Sequence, residues 1–262
     1  MLVVTALLFG LLIGSFLNVC IHRLPRDESV IRPGSRCPHC GSPIRWWDNV
    51  PVLSFLWLAG RCRDCRASIS LLYPVVELAT GALFAVVAWR WGWSLIAAKL
   101  AAFLAAMLVL GFADLRDRLL PDQITLGGAA AGFLFSFGVP LEPGLASLIL
   151  AVAGARPGPA LVSGAESLLG AGLSAAALYL VAEIYYRVRF REGMGLGDVK
   201  MIALIGAFWG FRDAFLVVLL ASLLGAAAGL AFIVLFRKGL AYELPFGSFL
   251  ALASILIVLV TR

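Results

Sequence analysis

The chain has 262 residues, of which 62% are hydrophobic and only 14% charged, with a net charge of +6. That composition excludes an ordinary soluble globular domain, whose apolar content is nearer half. A mean hydropathy of +0.99 points to an integral membrane protein, whose positive charge reflects topology and contact with anionic lipid rather than nucleic-acid binding.

A bilayer-spanning helix needs roughly 20 mostly apolar residues. The sequence offers about eight such stretches and reads as an all-α polytopic membrane protein. The first, Leu2 to Ile21, lacks a basic lead-in and a small-residue cleavage site, so it is expected to be an uncleaved span rather than a signal peptide. The others run from Leu72 to Trp89, Leu95 to Phe112, Ile124 to Val139, Ser167 to Tyr186, Val199 to Phe211, Ala214 to Phe236 and Leu244 to Val260. Leu145 to Ala155 is apolar but too short to cross, and is expected to be part of an extramembrane or interfacial loop running from Pro140 to Glu166. Three regions result: a first transmembrane helix over 1–22, a cytoplasmic segment over 23–71, and a helical bundle over 72–262.

Orientation follows from the Lys and Arg between spans. The segment after the first span holds Arg23, Arg26, Arg32, Arg36, Arg45, Arg61, Arg63 and Arg66, and the loops on the same side add eight more Lys and Arg. The opposite side holds only Arg90, Arg156, Arg212 and Arg262. The richer side is therefore cytoplasmic, and Lys99, inside a span near its outer end, is expected to snorkel.

Within the cytoplasmic segment, Cys37-Pro-His-Cys40 and Cys62-Arg-Asp-Cys65 form two C-x-x-C pairs. Four thiolates paired in this way can close a tetrahedral zinc site with no open position, hence a structural one. Two disulfides are the competing reading, disfavoured where thiols stay reduced. A segment of this size builds little core, and metal binding would supply folding energy. His39 is a weaker ligand candidate, and Cys20, alone in a span, reads as a packing residue.

Two acids stand out because ionisable groups in membrane segments are costly and default to function. Asp198 lies in Gly193-Met-Gly-Leu-Gly-Asp-Val-Lys200 and Asp114 closes another apolar stretch. Two aspartates held close together cannot both ionise cheaply, which is the arrangement of an aspartyl peptidase. Gly195 and Gly197 would let an extended substrate backbone approach. The plainer reading of the same residues is a Gly-rich turn with an acid capping the next helix. Asp117 reads as a solvated loop acid, Asp122 as a cap, Glu183 as structural, and Lys200 as tuning Asp198 or binding lipid phosphate.

The chain resembles the type IV prepilin peptidases, membrane aspartyl proteases with a Gly-x-Gly-Asp signature. Four motifs carry the resemblance in order: Gly14-Ser-Phe-Leu-Asn-Val-Cys-Ile-His-Arg-Leu-Pro25, the four-cysteine segment, Asp114 with Pro121 seven residues on, and the Gly193 to Lys200 run. The resemblance implies catalysis by Asp114 and Asp198 in a bacterial inner membrane. It implies cleavage after a Gly of the basic leader of prepilins or pseudopilins at the cytoplasmic face, for a type IV pilus or type II secretion. It also implies N-methylation of the new N-terminus with S-adenosylmethionine, for which Glu77 and Asn18, with His22, are the candidate binding residues. The competing reading of Glu77 is a structural pair with an Arg or a backbone amide. A proton- or cation-coupled transporter and a non-catalytic scaffold are the alternative functions. The acids' place at helix ends, rather than mid-bilayer, argues against transport.

Overall fold

The computed structural model describes residues 1–155, 157–190, 194–236 and 244–261. Nine helices follow in order among them: α1 (Leu2–Arg23), α2 (Leu53–Trp57), α3 (Leu72–Trp91), α4 (Leu95–Asp117), α5 (Asp122–Gly138), α6 (Leu145–Val152), α7 (Pro159–Arg189), α8 (Leu196–Phe236) and α9 (Phe246–Thr261). The described residues contain no strand beyond two isolated bridges, Arg36 with Pro43 and Arg61 with Ser68. Five helices, α1, α3, α4, α7 and α8, are long and apolar enough to cross a membrane, while α9 is a shorter apolar helix. Helix α8 is continuous only in name: Gly210, at φ 84° and ψ 175°, breaks it. Such a backbone is open to glycine and strained for other residues. The expected boundary, drawn at Arg212 and Asp213, therefore falls just after the real one. With α8 divided and α5 and α9 included, the expected eight apolar segments are all helical.

The region expected as a loop is more ordered than its composition suggests. Helix α6 occupies Leu145–Val152, eight residues and too short to span, and α7 starts at Pro159 rather than Ser167. Proline suits a first helical position because its missing N–H would have no partner there. Glu166 explains why α6 forms. Buried on α7, its Oε1 accepts the N–H of Gly144 at 2.7 Å and of Ser147 at 2.8 Å, and the Ser147 hydroxyl at 2.8 Å. A carboxylate is a favourable partner for the unsatisfied amides and positive dipole end of a helix N-terminus.

The chain forms two compact units, Met1–Val109 and Leu110–Arg262. In the first, α1 packs on α3. The register is antiparallel: a Cβ on Gly10 would lie 2.8 Å from Gly81 Cα, and one on Gly14 would lie 2.7 Å from Glu77 Cα. Small residues one turn apart thus let the two backbones approach, as in membrane helix pairs generally. Lys99 also belongs to this unit and is 1% exposed. Its ammonium is engaged inside the protein rather than snorkelling outward.

In the second unit α8 is the hub and packs against α5, α7 and α9. Its first half carries the buried core, Met201, Ile202, Leu204, Ile205 and Phe208. Ser167 of α7 donates to the Ala207 carbonyl at 2.7 Å, fixing the α7–α8 crossing.

Candidate active site and metal centre

In the second unit three helix ends converge. Asp114 sits in the last turn of α4, Asp198 in the first turn of α8, and Gly247 and Ser248 in the first turn of α9. Both acids are buried, at 6% and 8% exposure. Gly247 measures their convergence: a Cβ there would lie 3.0 Å from Asp114 Oδ2 and 3.2 Å from Asp198 Oδ1. The two oxygens are therefore no further apart than the sum of those distances, close enough to bracket one water or one substrate carbonyl. Asp114 Oδ2 also accepts the Ser248 N–H at 2.7 Å and its hydroxyl at 3.0 Å.

Asp198 meets the expectation of an acid capping the next helix. It is the third residue of α8, and the Gly195 N–H hydrogen-bonds back to its carboxylate. This is the acidic half of a capping box. The cap orients the side chain toward Asp114. Gly193, at the start of the motif, lies outside the described residues. Gly247 and Ser248 were not foreseen. The only signal was a Gly-Ser pair at the mouth of the last apolar stretch, and nothing local connects it to Asp114 or Asp198, which lie on other helices.

The neighbouring charges differ from expectation. Asp117 is the final residue of α4 rather than a solvated loop acid, its side chain 18% exposed and 3.9 Å from Arg116. Pro121, not Asp122, holds the N-cap position of α5, and both Asp122 oxygens accept from Lys200, at 2.7 and 2.8 Å. Lys200 is thus paired to α5, which tertiary packing decides and one-dimensional spacing does not reveal. Glu183 pairs with Arg187 one turn on, at 2.7 Å.

The first unit holds a second constellation. The Sγ atoms of Cys37, Cys40, Cys62 and Cys65 all lie within 4.8 Å of one another, and all four cysteines are free of disulfides. Cys37 and Cys65 approach to 3.8 Å, as two thiolates on one tetrahedral zinc with Zn–S of about 2.3 Å would. The two C-x-x-C turns repeat one geometry. In the first, Gly41 N–H bonds to the Cys37 carbonyl; in the second, Arg66 N–H bonds to that of Cys62. Gly41 has φ 71° and Arg66 φ 60°, so the second turn places a side chain where the first uses glycine. Asp48 accepts two bonds from Arg63, at 2.8 and 2.6 Å, tying the second turn to the Trp46–Asn49 segment. The Ser42 hydroxyl and amide pull the Cys40 thiol down to about 6. Cys65, although the Ala67 amide favours its thiolate, is driven up to about 12 by desolvation and by its neighbours' sulfurs. Four thiolates in one cluster need a cation. The donor set fits structural zinc, and His39 is not among the clustered ligand atoms.

Beside the α1–α3 crossing, Glu77 and Asn18 are buried at 7% and 4% exposure. Glu77 Oε2 accepts the Val52 N–H at 2.8 Å, and the Ser15 hydroxyl is a second partner. Val52 opens α2 at φ 62°, a costly conformation for a β-branched residue. The backbone-amide reading of Glu77 is therefore met. Asn18 donates to the Tyr73 carbonyl at 3.0 Å, while its buried Oδ1 has no hydrogen-bond partner among the described residues. Ser15 also lines a cavity of about 280 Å³ with Phe16, Arg23, Ile31 and Asn49.

A polytopic helical membrane protein with two buried aspartates meeting at helix ends and a four-cysteine cluster defines the class. The family model described as "Bacterial Peptidase A24 N-terminal domain" matches residues 8–91, and "Type IV leader peptidase family" matches residues 101–230. A prepilin leader peptidase/N-methyltransferase of Stutzerimonas stutzeri is 37% identical, with 96% of this chain and 88% of that protein covered. Its namesake in Aeromonas hydrophila is 39% identical over 94% and 87%, and that of Pseudomonas aeruginosa 33% identical over 96% and 88%. No solved structure matches. The chain belongs to the type IV leader peptidase family.

Proposed function

We propose that the protein cleaves the short basic leader of type IV prepilins or pseudopilins after a Gly, at the cytoplasmic face of the inner membrane, with Asp114 and Asp198 as the catalytic pair. The observation that carries this is the convergence of two buried carboxylates over Gly247. Held together in a low-dielectric site, the pair shares one proton. The ionised member takes a proton from water as it attacks the scissile carbonyl, and the protonated member donates to the developing oxyanion. Collapse of the tetrahedral intermediate breaks the C–N bond, and the amine leaves with a proton from the pair. Gly247 leaves room for an extended substrate backbone, since any side chain there would enter the gap between the acids. The Arg-rich loops that set the topology put a positively charged leader on the same side as the acids.

The same reading gives the first unit the methylation step, in which S-adenosylmethionine would supply the methyl group. Asn18 Oδ1, a buried acceptor without a partner among the described residues, and the Glu77 carboxylate one turn along α3 from the Tyr73 that Asn18 meets fit an amino or ammonium group. Those two residues would bind and orient it. Zinc, held by Cys37, Cys40, Cys62 and Cys65, would be structural, because four protein ligands leave no open position.

Co-expression with a prepilin followed by intact-mass measurement tests both halves. Loss of the leader and gain of one methyl mass on the same product supports the proposal. An uncut prepilin would overturn it.

A further inference from the structure

Ser248 is the third residue of α9, so its N–H is one of the helix-start amides that no intrahelical carbonyl can satisfy. Asp114, from another helix, satisfies it: the N–H reaches Oδ2 at 2.7 Å. A backbone amide cannot rotate away, so Oδ2 is an acceptor whatever the charge on Asp114. The hydroxyl of the same residue stands 3.0 Å from Asp114 Oδ2 and 3.0 Å from the Gly111 carbonyl. It has one hydrogen to give. Given to Gly111, it leaves an oxygen lone pair facing an acceptor oxygen; given to Asp114, it adds a second donor to that carboxylate. Gly111 lies on α4, three residues before Asp114, so either bond pins the α9 start to the last turn of α4.

We propose that Ser248 is the positioning residue of Asp114: its amide and hydroxyl commit Oδ2 as a twofold acceptor, leaving Oδ1 as the oxygen that exchanges protons with water and Asp198. This rests on the reading of Asp114 and Asp198 as the catalytic pair. Asp198 is oriented differently, by the Gly195 amide of its own helix cap. The two acids are therefore aimed by separate devices, one within α8 and one supplied by α9.

The test uses full-length enzyme in lipid nanodiscs and a purified prepilin, with Ser248→Ala, Ser248→Thr and Asp114→Asn compared. Ser248→Ala keeps the amide and removes the hydroxyl. Loss of one bond to a charged acceptor predicts a kcat about tenfold lower, with KM and the melting temperature at wild-type values. Ser248→Thr restores the hydroxyl and predicts recovery of most of the lost kcat. Wild-type kcat in Ser248→Ala, or no recovery in Ser248→Thr, overturns the positioning role while Asp114→Asn remains inactive. An active Asp114→Asn would overturn the underlying catalytic reading instead.

Discussion

The two units solve the same problem, assembling polar groups in an apolar protein, in opposite ways. In Met1–Val109 the cysteines come as two adjacent pairs, each turn closing on itself through bonds such as Gly41 N–H to Cys37 and Arg66 N–H to Cys62. In Leu110–Arg262 the acids arrive singly, from helices whose contributions are separated by long apolar stretches, and meet only because α4, α8 and α9 end together. The first design gives a closed ligand set suited to holding a cation and a fold. The second leaves a gap at Gly247, and a gap is what a substrate needs.

If the comparison is right, lesions in the first unit separate methyl transfer from cleavage. Among these lesions the largest effect is expected on removing the metal. Cys62→Ser, or chelation of the wild-type enzyme, should empty the zinc site and lower methyl transfer about 100-fold, measured by metal content and methyl incorporation into a pre-cut pilin. Equal loss of cleavage would break the separation. A smaller effect is expected at the α1–α3 crossing. Asn18→Leu or Glu77→Gln should lower methyl transfer about tenfold, the cost of a missing partner for a bound amine, with leader cleavage kept. The smallest concerns the asymmetry of the two cysteine turns. Arg66→Gly should stabilise the second turn by about 1 kcal/mol by relieving a left-handed backbone, seen as a higher chelator concentration needed to strip the metal.

Legibility in the sequence followed the same divide. The C-x-x-C pairs could be read because each turn is local, and the membrane helices because apolar length is a local property. The Gly210 break was placed slightly late because the charges of Arg212 and Asp213 are a louder signal than a glycine whose φ is 84°. Helix α6 was missed because its N-terminus is satisfied by Glu166 from across a loop. Lys200 was misassigned for the same reason, its partner being Asp122 of α5. The two aspartates were visible as acids at apolar boundaries, but Gly247 and Ser248 became visible only where α9 met α4.

The central claim is that Asp114 and Asp198 act as one unit, and a double-mutant cycle on leader cleavage tests it most directly. Groups that work together lose nearly everything when either is removed. Asp114→Asn, Asp198→Asn and the double variant are each expected to fall at least about 1,000-fold, to one common residual rate, with zinc content unchanged. Single-variant losses that multiply in the double variant, or cleavage surviving in either single one, would contradict the account.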